Sequence, residues 1–288
     1  HIERAGIHSG DSIAILPARS LSDAVEDRVV ETTTVLARAL TVRGFLNLQF
    51  VVHGGRVYVL EANLRSSRTV PFVSKAVGVP LVQIATRVML GDTFAELGFP
   101  GTHRPQALSR IAVKAPVFSM EKLHAAEAAI GPEMRSTGEV MGIGPDFAAA
   151  LYKALLAAGG TLHGRTVLAS VADRDKADAI PILAAFARLG FRIMATGETA
   201  SALEGAGVEV ERVEALRAVE GEGVALVINT PTRGRDPSRP GFSLRRRALA
   251  RRIPCVTSLD TARLIAEILA GDPPPLSIEP LAISESGS

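Results

Sequence analysis

Residues 46–75 have the sequence LNLQFVVHGGRVYVLEANLRSSRTVPFVSK, and this stretch decides the fold of the first part of the chain. Two runs rich in β-branched and aromatic residues flank the glycine pair Gly54 and Gly55. Two consecutive glycines can adopt the positive φ angles that a tight turn between antiparallel strands requires. The stretch therefore predicts a β-hairpin.

Polar side chains lie at the end of this hairpin that is remote from the turn. Across a turn centred on the glycines, Gln49 falls opposite Leu60 and Glu61. Glu61 and Asn63 are two residues apart on one strand, so their side chains point to the same face. Carboxylate and amide oxygens are the ligands that Mg²⁺ prefers, and Mg²⁺ in turn bridges nucleotide phosphates. The pattern predicts a metal site formed by Gln49, Glu61 and Asn63.

Two arginines, Arg65 and Arg68, follow the second strand of the hairpin. A guanidinium group can bind phosphate through two parallel hydrogen bonds, so a metal site followed by two arginines is typical of nucleotide activation. The alternative is an exposed polar strand end with a capping arginine. That alternative accounts for an isolated Glu-x-Asn pair better than for the complete pattern.

Of the 288 residues, 47% are hydrophobic and 22% are charged, and the formal net charge is +2. This composition is typical of a soluble globular protein, and the length is sufficient for two domains. No nucleic-acid-binding motif occurs and no membrane segment is evident, so neither partner is expected. The single cysteine, Cys255, excludes an internal disulfide framework and favours a cytoplasmic location. Because His1 is followed at once by motif-like sequence, we expect the chain to be the C-terminal part of a longer polypeptide.

The domain organisation follows from composition and from the spacing of apolar residues. Helical patterns at residues 21–40 and 79–90 flank the hairpin, and the sequence FPGTHRPQ, from residue 99, predicts a linker. The predicted parts are a first domain at 1–98, a connecting and mainly helical segment at 99–158, a second domain at 159–272 and a disordered tail at 273–288.

Strands and helices alternate in the second domain, which predicts a parallel sheet covered by helices on both faces. The fold class is therefore α/β. The predicted strands lie at 166–170, 192–195 and 224–229, and the predicted helices lie at 176–189, 199–204 and 259–269.

Polar residues of the second domain cluster where strands end and helices begin. Lys176 opens a helix, Thr196 and Thr199 lie between a strand and a helix, and Asn229 ends another strand. Ligands of open α/β sheets bind at the carboxyl ends of strands, where helix N-termini favour anions. These residues predict a phosphate pocket, with ordinary capping by Thr199 and Asn229 as the alternative.

A basic run occurs near the end of the second domain, with arginines at 245–247 and at 251–252 beside apolar residues. Their helical spacing predicts a solvated helix face. Contact with an anionic effector is the alternative.

Three sequence strings, in order along the chain, resemble the large subunit of carbamoyl-phosphate synthase, an ATP-grasp enzyme. They are HIERAGIHSGDS at 1–12, EANLRSSRTVPFVSKAVGVPL at 61–81 and GPEMRSTGEVMGIG at 131–144. The resemblance covers nearly the whole chain. It implies the end of the second synthetase unit, an α+β ATP-grasp subdomain, followed by a methylglyoxal-synthase-like regulatory domain. The string at 131–144 would belong to the connection between them, and we assign it no catalytic role.

The resemblance implies an ATP-dependent ligase that phosphorylates carbamate to carbamoyl phosphate, for arginine biosynthesis, pyrimidine biosynthesis or both. It implies Mg²⁺ or Mn²⁺ held by Gln49, Glu61 and Asn63, with Gln49 and Glu61 also near ATP. Arg65 and Arg68 would position the phosphoryl group or the carbamate. The residues implied to line the ATP pocket are Gly6, Ile7, His8 and Ser9.

Regulation is also implied by the resemblance. A family lysine falls at Ala215 and a family threonine at Pro231, so the identity of the nucleotide effector stays open. Activation by ornithine is open too, because Ala115 occupies the position after Lys114 where an acidic residue is expected. The residues at effector positions are Lys176, Thr196, Thr199, Asn229 and Thr232, and those at ornithine positions are Glu3, Asp11 and Thr257.

A glutaminase small subunit that supplies ammonia is the partner implied by the resemblance, and a homo-oligomer is compatible with it. An ATP-grasp site closes between two subdomains, so we expect these 288 residues alone to be inactive. The alternative function is a nucleotide-binding regulatory module of another ATP-grasp ligase, without activity of its own. A surface histidine is the alternative role for His8.

Overall fold

The computed structural model describes residues 1–99, 108–118, 130–159, 164–232, 239–251, 253–271 and residue 276. The chain divides into two compact units. The hairpin unit contains Ile15–Ala112 and Ile143–Phe147, and the sheet unit contains His1–Ala14, Val113–Gly142 and Ala148–Pro275.

The strands and helices of the described residues have the following bounds. The strands are β1 (Ala14–Leu16), β2 (Asn47–His53), β3 (Arg56–Asn63), β4 (Ile111–Val117), β5 (Gly138–Gly144), β6 (Thr166–Ala169), β7 (Arg192–Thr196), β8 (Glu211–Val213), β9 (Val224–Ile228) and β10 (Cys255–Val256). The helices are α1 (Asp23–Ala39), α2 (Thr69–Val77), α3 (Leu81–Leu90), α4 (Phe147–Ala157), α5 (Lys176–Arg188), α6 (Gly197–Gly205), α7 (Ala215–Glu220), α8 (Pro240–Ala250) and α9 (Leu259–Ala270).

Strands β2 and β3 form the antiparallel hairpin that the sequence predicts. His53 pairs with Arg56 across the turn, and the two turn glycines, Gly54 and Gly55, have φ angles of 56° and 73°. Glycine adopts such angles without a steric penalty, so a glycine pair suits this two-residue turn. The hairpin prediction is confirmed.

Helices α1 and α3 lie within the two stretches predicted to be helical, whereas α2 was not predicted. Gly78 caps the C-terminus of α2, and its φ of 68° is the left-handed conformation typical of that position. None of the described helices is by itself long and apolar enough to cross a membrane. Helices α2 and α3 meet that length and composition only as a pair, and the chain bends by 110° between them.

A parallel five-stranded sheet in the order β10-β9-β6-β7-β8 forms the centre of the sheet unit. Successive residues of β6 face opposite sides of this sheet. Val167 and Ala169 pack with α5, α6 and α9, whereas Leu168 packs with α7 and α8. Both faces are therefore buried under helices, as the alternation of elements predicts, and the α/β fold class is confirmed.

The connecting segment differs from the prediction that it is mainly helical. Its described residues form β4, β5 and one helix, α4, and β1, β4 and β5 make a three-stranded sheet in that order. Strand β5 escapes local prediction because it carries glycines at 138, 142 and 144, a residue type disfavoured in strands. Residues 100–107 and 119–129 of this segment, and the predicted disordered tail apart from residue 276, lie outside the described residues.

Strand β5 packs against α4 at a glycine that has no room for a side chain. A Cβ atom at Gly142 would overlap the carbonyl oxygen of Ala150 and lie 2.5 Å from the backbone nitrogen of Ala154. At Gly138, in the same strand, a Cβ atom would meet nothing within 4 Å.

We expect Gly142→Ala to lower the free energy of unfolding by about 2 kcal/mol, because the strand or helix backbone must move. Gly138→Ala is the matched control and should change it by less than about 0.5 kcal/mol. Urea unfolding followed by circular dichroism measures both. Equal stability of the two variants would show that β5 and α4 are not in this close contact.

Candidate functional site

The hairpin carries a β-bulge immediately before its polar end. Gln49 pairs with Glu61, whereas its neighbour Phe50 pairs with Val59, so Leu60 is an extra residue in β3. In an uninterrupted hairpin Gln49 would face Leu60, and Glu61 would point to the opposite face. The bulge reverses this arrangement and brings Glu61 beside Gln49.

Three side chains meet at this point. Glu61 Oε1 accepts hydrogen bonds from Gln49 Nε2 at 2.8 Å and from Asn63 Nδ2 at 2.9 Å. The convergence that the sequence predicts is therefore present. Sequence reasoning placed Gln49 opposite both Leu60 and Glu61, and the bulge selects Glu61.

The donor set of this cluster fits a hard divalent cation. Each amide turns its nitrogen toward the carboxylate, and a half rotation of each amide group would place the oxygens of Gln49 and Asn63 beside those of Glu61. Three oxygen donors are a common protein contribution to Mg²⁺ or Mn²⁺ when phosphates complete the coordination. Within the described ranges, no group of three His, Cys, Asp or Glu side chains could hold a metal ion, so this mixed cluster is the metal-site candidate.

The two arginines lie between β3 and α2. Arg65 is exposed and donates from its guanidinium group to the carbonyl oxygen of Ser66 at 3.0 Å. Arg68 is half-buried and occupies the N-cap position of α2. Because a helix N-terminus carries partial positive charge, Arg68 adds its own charge where anions are already favoured.

The predicted ATP-pocket residues, Gly6 to Ser9, belong to the sheet unit. Gly6 has a φ of 111°, which requires glycine. His8 begins a short 3₁₀ helix, and its Nδ1 accepts a hydrogen bond from Gly10 N at 3.0 Å. His8 therefore shapes the loop rather than lying on it as an unengaged surface residue.

The string at 131–144 holds this loop in place. Asp11 is 1% exposed, and its carboxylate accepts hydrogen bonds from the backbone nitrogens of Arg135 and Ser136 at 2.8–3.1 Å. Ser136 Oγ donates to Gly10 O at 2.8 Å, and His8 N donates to Gly131 O at 2.7 Å. The sequence did not indicate this role, because the groups that donate to Asp11 are backbone N–H groups, which every residue except proline carries.

The predicted ornithine residues are all engaged within the sheet unit. Glu3 is 7% exposed and accepts hydrogen bonds from Ile13 N and Thr261 Oγ1, both at 2.8 Å. Thr257 Oγ1 accepts from Ile130 N at 3.3 Å. Asp11 is held as described above. Glu3 and Asp11 therefore already hold the first 14 residues in place, whereas Thr257 holds Ile130.

A buried lysine contacts the same N-terminal segment. Lys114 is 2% exposed and donates from Nζ to Ser9 O at 3.1 Å. Its Nζ also lies 3.4 Å from the carboxylate of Glu139. Glu139 thus neutralises the charge of Lys114. The neighbouring position, where an acidic residue was expected, is occupied by the uncharged Ala115.

A cavity of about 630 Å³ opens at the carboxyl ends of β6, β7 and β9. Among the predicted effector residues, Thr196, Asn229 and Thr232 line it. Lys176 and Thr199 instead line a separate pocket with no room for a water molecule. Thr199 is buried, and its hydroxyl accepts a hydrogen bond from Val171 N at 3.1 Å. Thr199 therefore has a structural role, in the same sense as the capping role that was the alternative to phosphate binding.

Helix α8 corrects the expectation of a fully solvated basic face. Arg246 and Arg247 are exposed as expected, but Arg245 is 4% exposed and lines the cavity. Its guanidinium group donates to Asn229 Oδ1 at 2.5 Å. The alternative role, contact with an effector, is thus open to Arg245. Residue 252 lies outside the described residues.

Two domain families match the chain. Residues 2–97 match the family described as carbamoyl-phosphate synthase L chain, ATP binding domain, and residues 178–257 match the MGS-like domain family. The chain thus resembles two domain families, one after the other along its sequence.

Curated relatives resemble nearly the whole chain. It is 46% identical over 92% of its length to the carbamoyl phosphate synthase large chain of Lachnoclostridium phytofermentans, and 47% identical over 98% to that of Thermomicrobium roseum. It spans 26% and 27% of these relatives. The chain is therefore homologous to about a quarter of a carbamoyl phosphate synthase large chain.

Two solved structures show weaker likenesses. A methylglyoxal synthase from Elizabethkingia anophelis is 21% identical with a TM-score of 0.30, over 36% of this chain and 77% of its own. A biotin carboxylase domain of a single-chain bacterial carboxylase is also 21% identical, with a TM-score of 0.37, over 51% of this chain and 38% of its own. Values this low support no conclusion about function.

Burial raises the pKa of the Glu3 carboxyl above its ordinary value of 4.5, and the hydrogen bond from Thr261 offsets only part of this. The folded chain therefore binds this proton more tightly than the unfolded chain. The stability that results is fully present below the ordinary pKa and is lost as the pH rises toward the raised value.

We expect Glu3→Gln to gain stability relative to the wild type as the pH rises from about 4 to about 7, because the amide does not titrate. Its free energy of unfolding, measured in urea at several pH values, should diverge from that of the wild type. Glu209→Gln, at an exposed position of the same unit, is the control for removal of a surface carboxyl. A difference between Glu3→Gln and the wild type that does not change with pH would contradict the raised pKa.

Proposed function

We propose that this chain is the part of a carbamoyl-phosphate synthase large chain that helps to phosphorylate carbamate with ATP and that binds a regulatory ligand in its MGS-like domain. The observation that carries the proposal is the bulged hairpin, which brings Gln49, Glu61 and Asn63 together directly before two arginines. Phosphoryl transfer depends mainly on positioning and on charge neutralisation, and these residue types provide both.

Gln49, Glu61 and Asn63 would hold Mg²⁺ or Mn²⁺, which when bound supplies positive charge to the phosphates of ATP. Arg65 and Arg68 are proposed to orient the transferred phosphoryl group or the carbamate, through the paired donors of their guanidinium groups. The proposed ATP-binding contacts of the sheet unit are Gly6, Ile7, His8 and Ser9.

The 630 Å³ cavity is the proposed effector site of the MGS-like domain. It lies where ligands of parallel α/β sheets bind, and Thr196, Asn229 and Thr232 line it with hydroxyl and amide groups. Ornithine, as a second effector, would contact Glu3, Asp11 and Thr257. A glutaminase subunit that supplies ammonia, and a cytoplasmic location, are proposals that rest on the homologous large chains.

In the complete protein, Glu61→Gln should abolish carbamoyl phosphate synthesis, a loss of at least about 10³-fold, because the carboxylate charge is removed while the hydrogen bonds remain possible. Asn63→Asp should do the same by changing the charge of the cluster. His53→Gln, at the turn end of the same hairpin, is the matched control and should retain activity. Near-normal synthesis by both site variants would remove the metal-site proposal.

The 288-residue chain by itself should make no carbamoyl phosphate, because it spans about a quarter of its relatives and an ATP-grasp site closes between two subdomains. A coupled assay with ATP, bicarbonate and ammonia measures this, and the complete protein is the positive control. Synthesis by the isolated chain above the background without enzyme would contradict the prediction.

A further inference from the structure

The N-terminal segment, residues 1–14, contacts the first turn of α9 through two neighbouring residues. Glu3 accepts a hydrogen bond from Thr261 Oγ1 at 2.8 Å. Arg4 follows Glu3 in the sequence, and its Nε lies 3.6 Å from the carboxylate of Asp260. Asp260 and Thr261 both lie in the first turn of α9. Two consecutive residues of the segment therefore meet two consecutive residues of one helix.

Arg4 also reaches a second helix. Its Nη2 lies 3.9 Å from the carboxylate of Asp178, which is in the first turn of α5. Helices α5 and α9 pack together, and Ile182 of α5 and Ile265 of α9 belong to the same buried cluster. One guanidinium group thus bridges the N-terminal turns of two helices that are already packed against each other.

The charges at this point are unequal, because two carboxylates face one guanidinium group. The first turn of a helix carries partial positive charge, which favours the charged form of both Asp178 and Asp260. The pair with Asp178 is screened by solvent, since the side chains of Arg4 and Asp178 are 73% and 58% exposed. Asp260 is 19% exposed, so its pair with Arg4 is the less screened of the two. A negative charge in place of Arg4 would be repelled by both helices.

The loop Gly6–Ser9 is separated from Arg4 by Ala5 alone. The middle of the loop is held by the hydrogen bond that His8 N donates to Gly131 O at 2.7 Å. Its beginning continues directly from Arg4, which contacts α5 and α9. The position of the first residues of the loop therefore depends on the ion pairs of Arg4.

We propose that Arg4 is a positioning residue for nucleotide binding, and that its ion pairs with Asp178 and Asp260 hold the loop Gly6–Ser9 in its binding position. The inference rests on the ATP-binding role proposed for this loop. Arg4 acts through the loop and does not itself touch the nucleotide. Helices α5 and α9 thereby contribute to nucleotide binding through the residue that they hold.

Hydrogen exchange of the 288-residue chain, followed by mass spectrometry of peptides from residues 1–14, tests the anchoring. Arg4→Glu replaces two attractions by two repulsions, so the amides of this segment should exchange about fivefold faster. Arg4 is exposed, so the variant should keep its fold, which circular dichroism checks.

Two variants serve as controls for this measurement. Arg4→Lys keeps the charge and should exchange within about twofold of the wild type, because an ammonium group can also form ion pairs at such distances. Arg188→Glu, at an exposed position of α5, changes the net charge equally and should leave the segment unaffected. Combining Arg4→Glu with Asp178→Arg and Asp260→Asn reverses one ion pair and removes the remaining repulsion, so slow exchange should return.

Kinetics of the complete protein test the consequence for nucleotide binding. Phosphoryl transfer from carbamoyl phosphate to ADP is the reverse of the proposed reaction and isolates this step. Arg4→Glu should raise KM for ADP about fivefold and leave kcat unchanged, because it weakens binding without altering the reacting groups. Arg4→Lys and Arg188→Glu should keep the KM of the wild type.

The outcomes separate this inference from the function on which it rests. Unchanged exchange in Arg4→Glu overturns the anchoring, as does equally fast exchange in Arg188→Glu or a failure of the combined variant to restore slow exchange. A fall in kcat with unchanged KM overturns the positioning role in binding. Faster exchange with unchanged KM and kcat leaves the anchoring by Arg4 in place and shows that the proposed ATP-binding role of Gly6–Ser9 is wrong.

Discussion

Burial of the parallel sheet on both faces is the constraint that governs the sheet unit. Every residue of β9 is buried and apolar, because helices cover both sides of the strand. At the carboxyl end of the sheet, polar groups follow this apolar interior: Asn229 comes directly after β9 and Thr196 ends β7. The cavity of this domain lies at that end of the sheet, where the packed interior stops.

Burial does not determine the arrangement of the hairpin, because most of β3 is exposed. Its polar cluster depends on register rather than on burial, and one extra residue, Leu60, sets that register. Since a shift by one residue exchanges the two faces of a strand, loss of the bulge would separate Gln49 from Glu61. Backbone geometry thus assembles the cluster.

Local sequence patterns predicted the features that depend on local rules. The glycine pair predicted the hairpin turn, and the alternation of strands and helices predicted the parallel sheet. The features that were missed depend on distant partners. Strand β5 is glycine-containing, and Arg245 resembles its exposed neighbours Arg246 and Arg247 until the fold places it against Asn229. Charge type alone does not distinguish a buried arginine from a solvated one.

The hydrogen bonds of the first 14 residues have a consequence for the order of folding. Asp11 is bonded to groups 124 and 125 residues later, and Glu3 is bonded to Thr261, 258 residues later. Contacts this distant in sequence can form only after the intervening chain has been made, and closing so long a loop then costs conformational entropy. During synthesis on the ribosome, the segment from Glu3 to Asp11 would therefore reach its final form only after α9 has been made. Its final shape would become a late product of biosynthesis, completed together with the MGS-like domain.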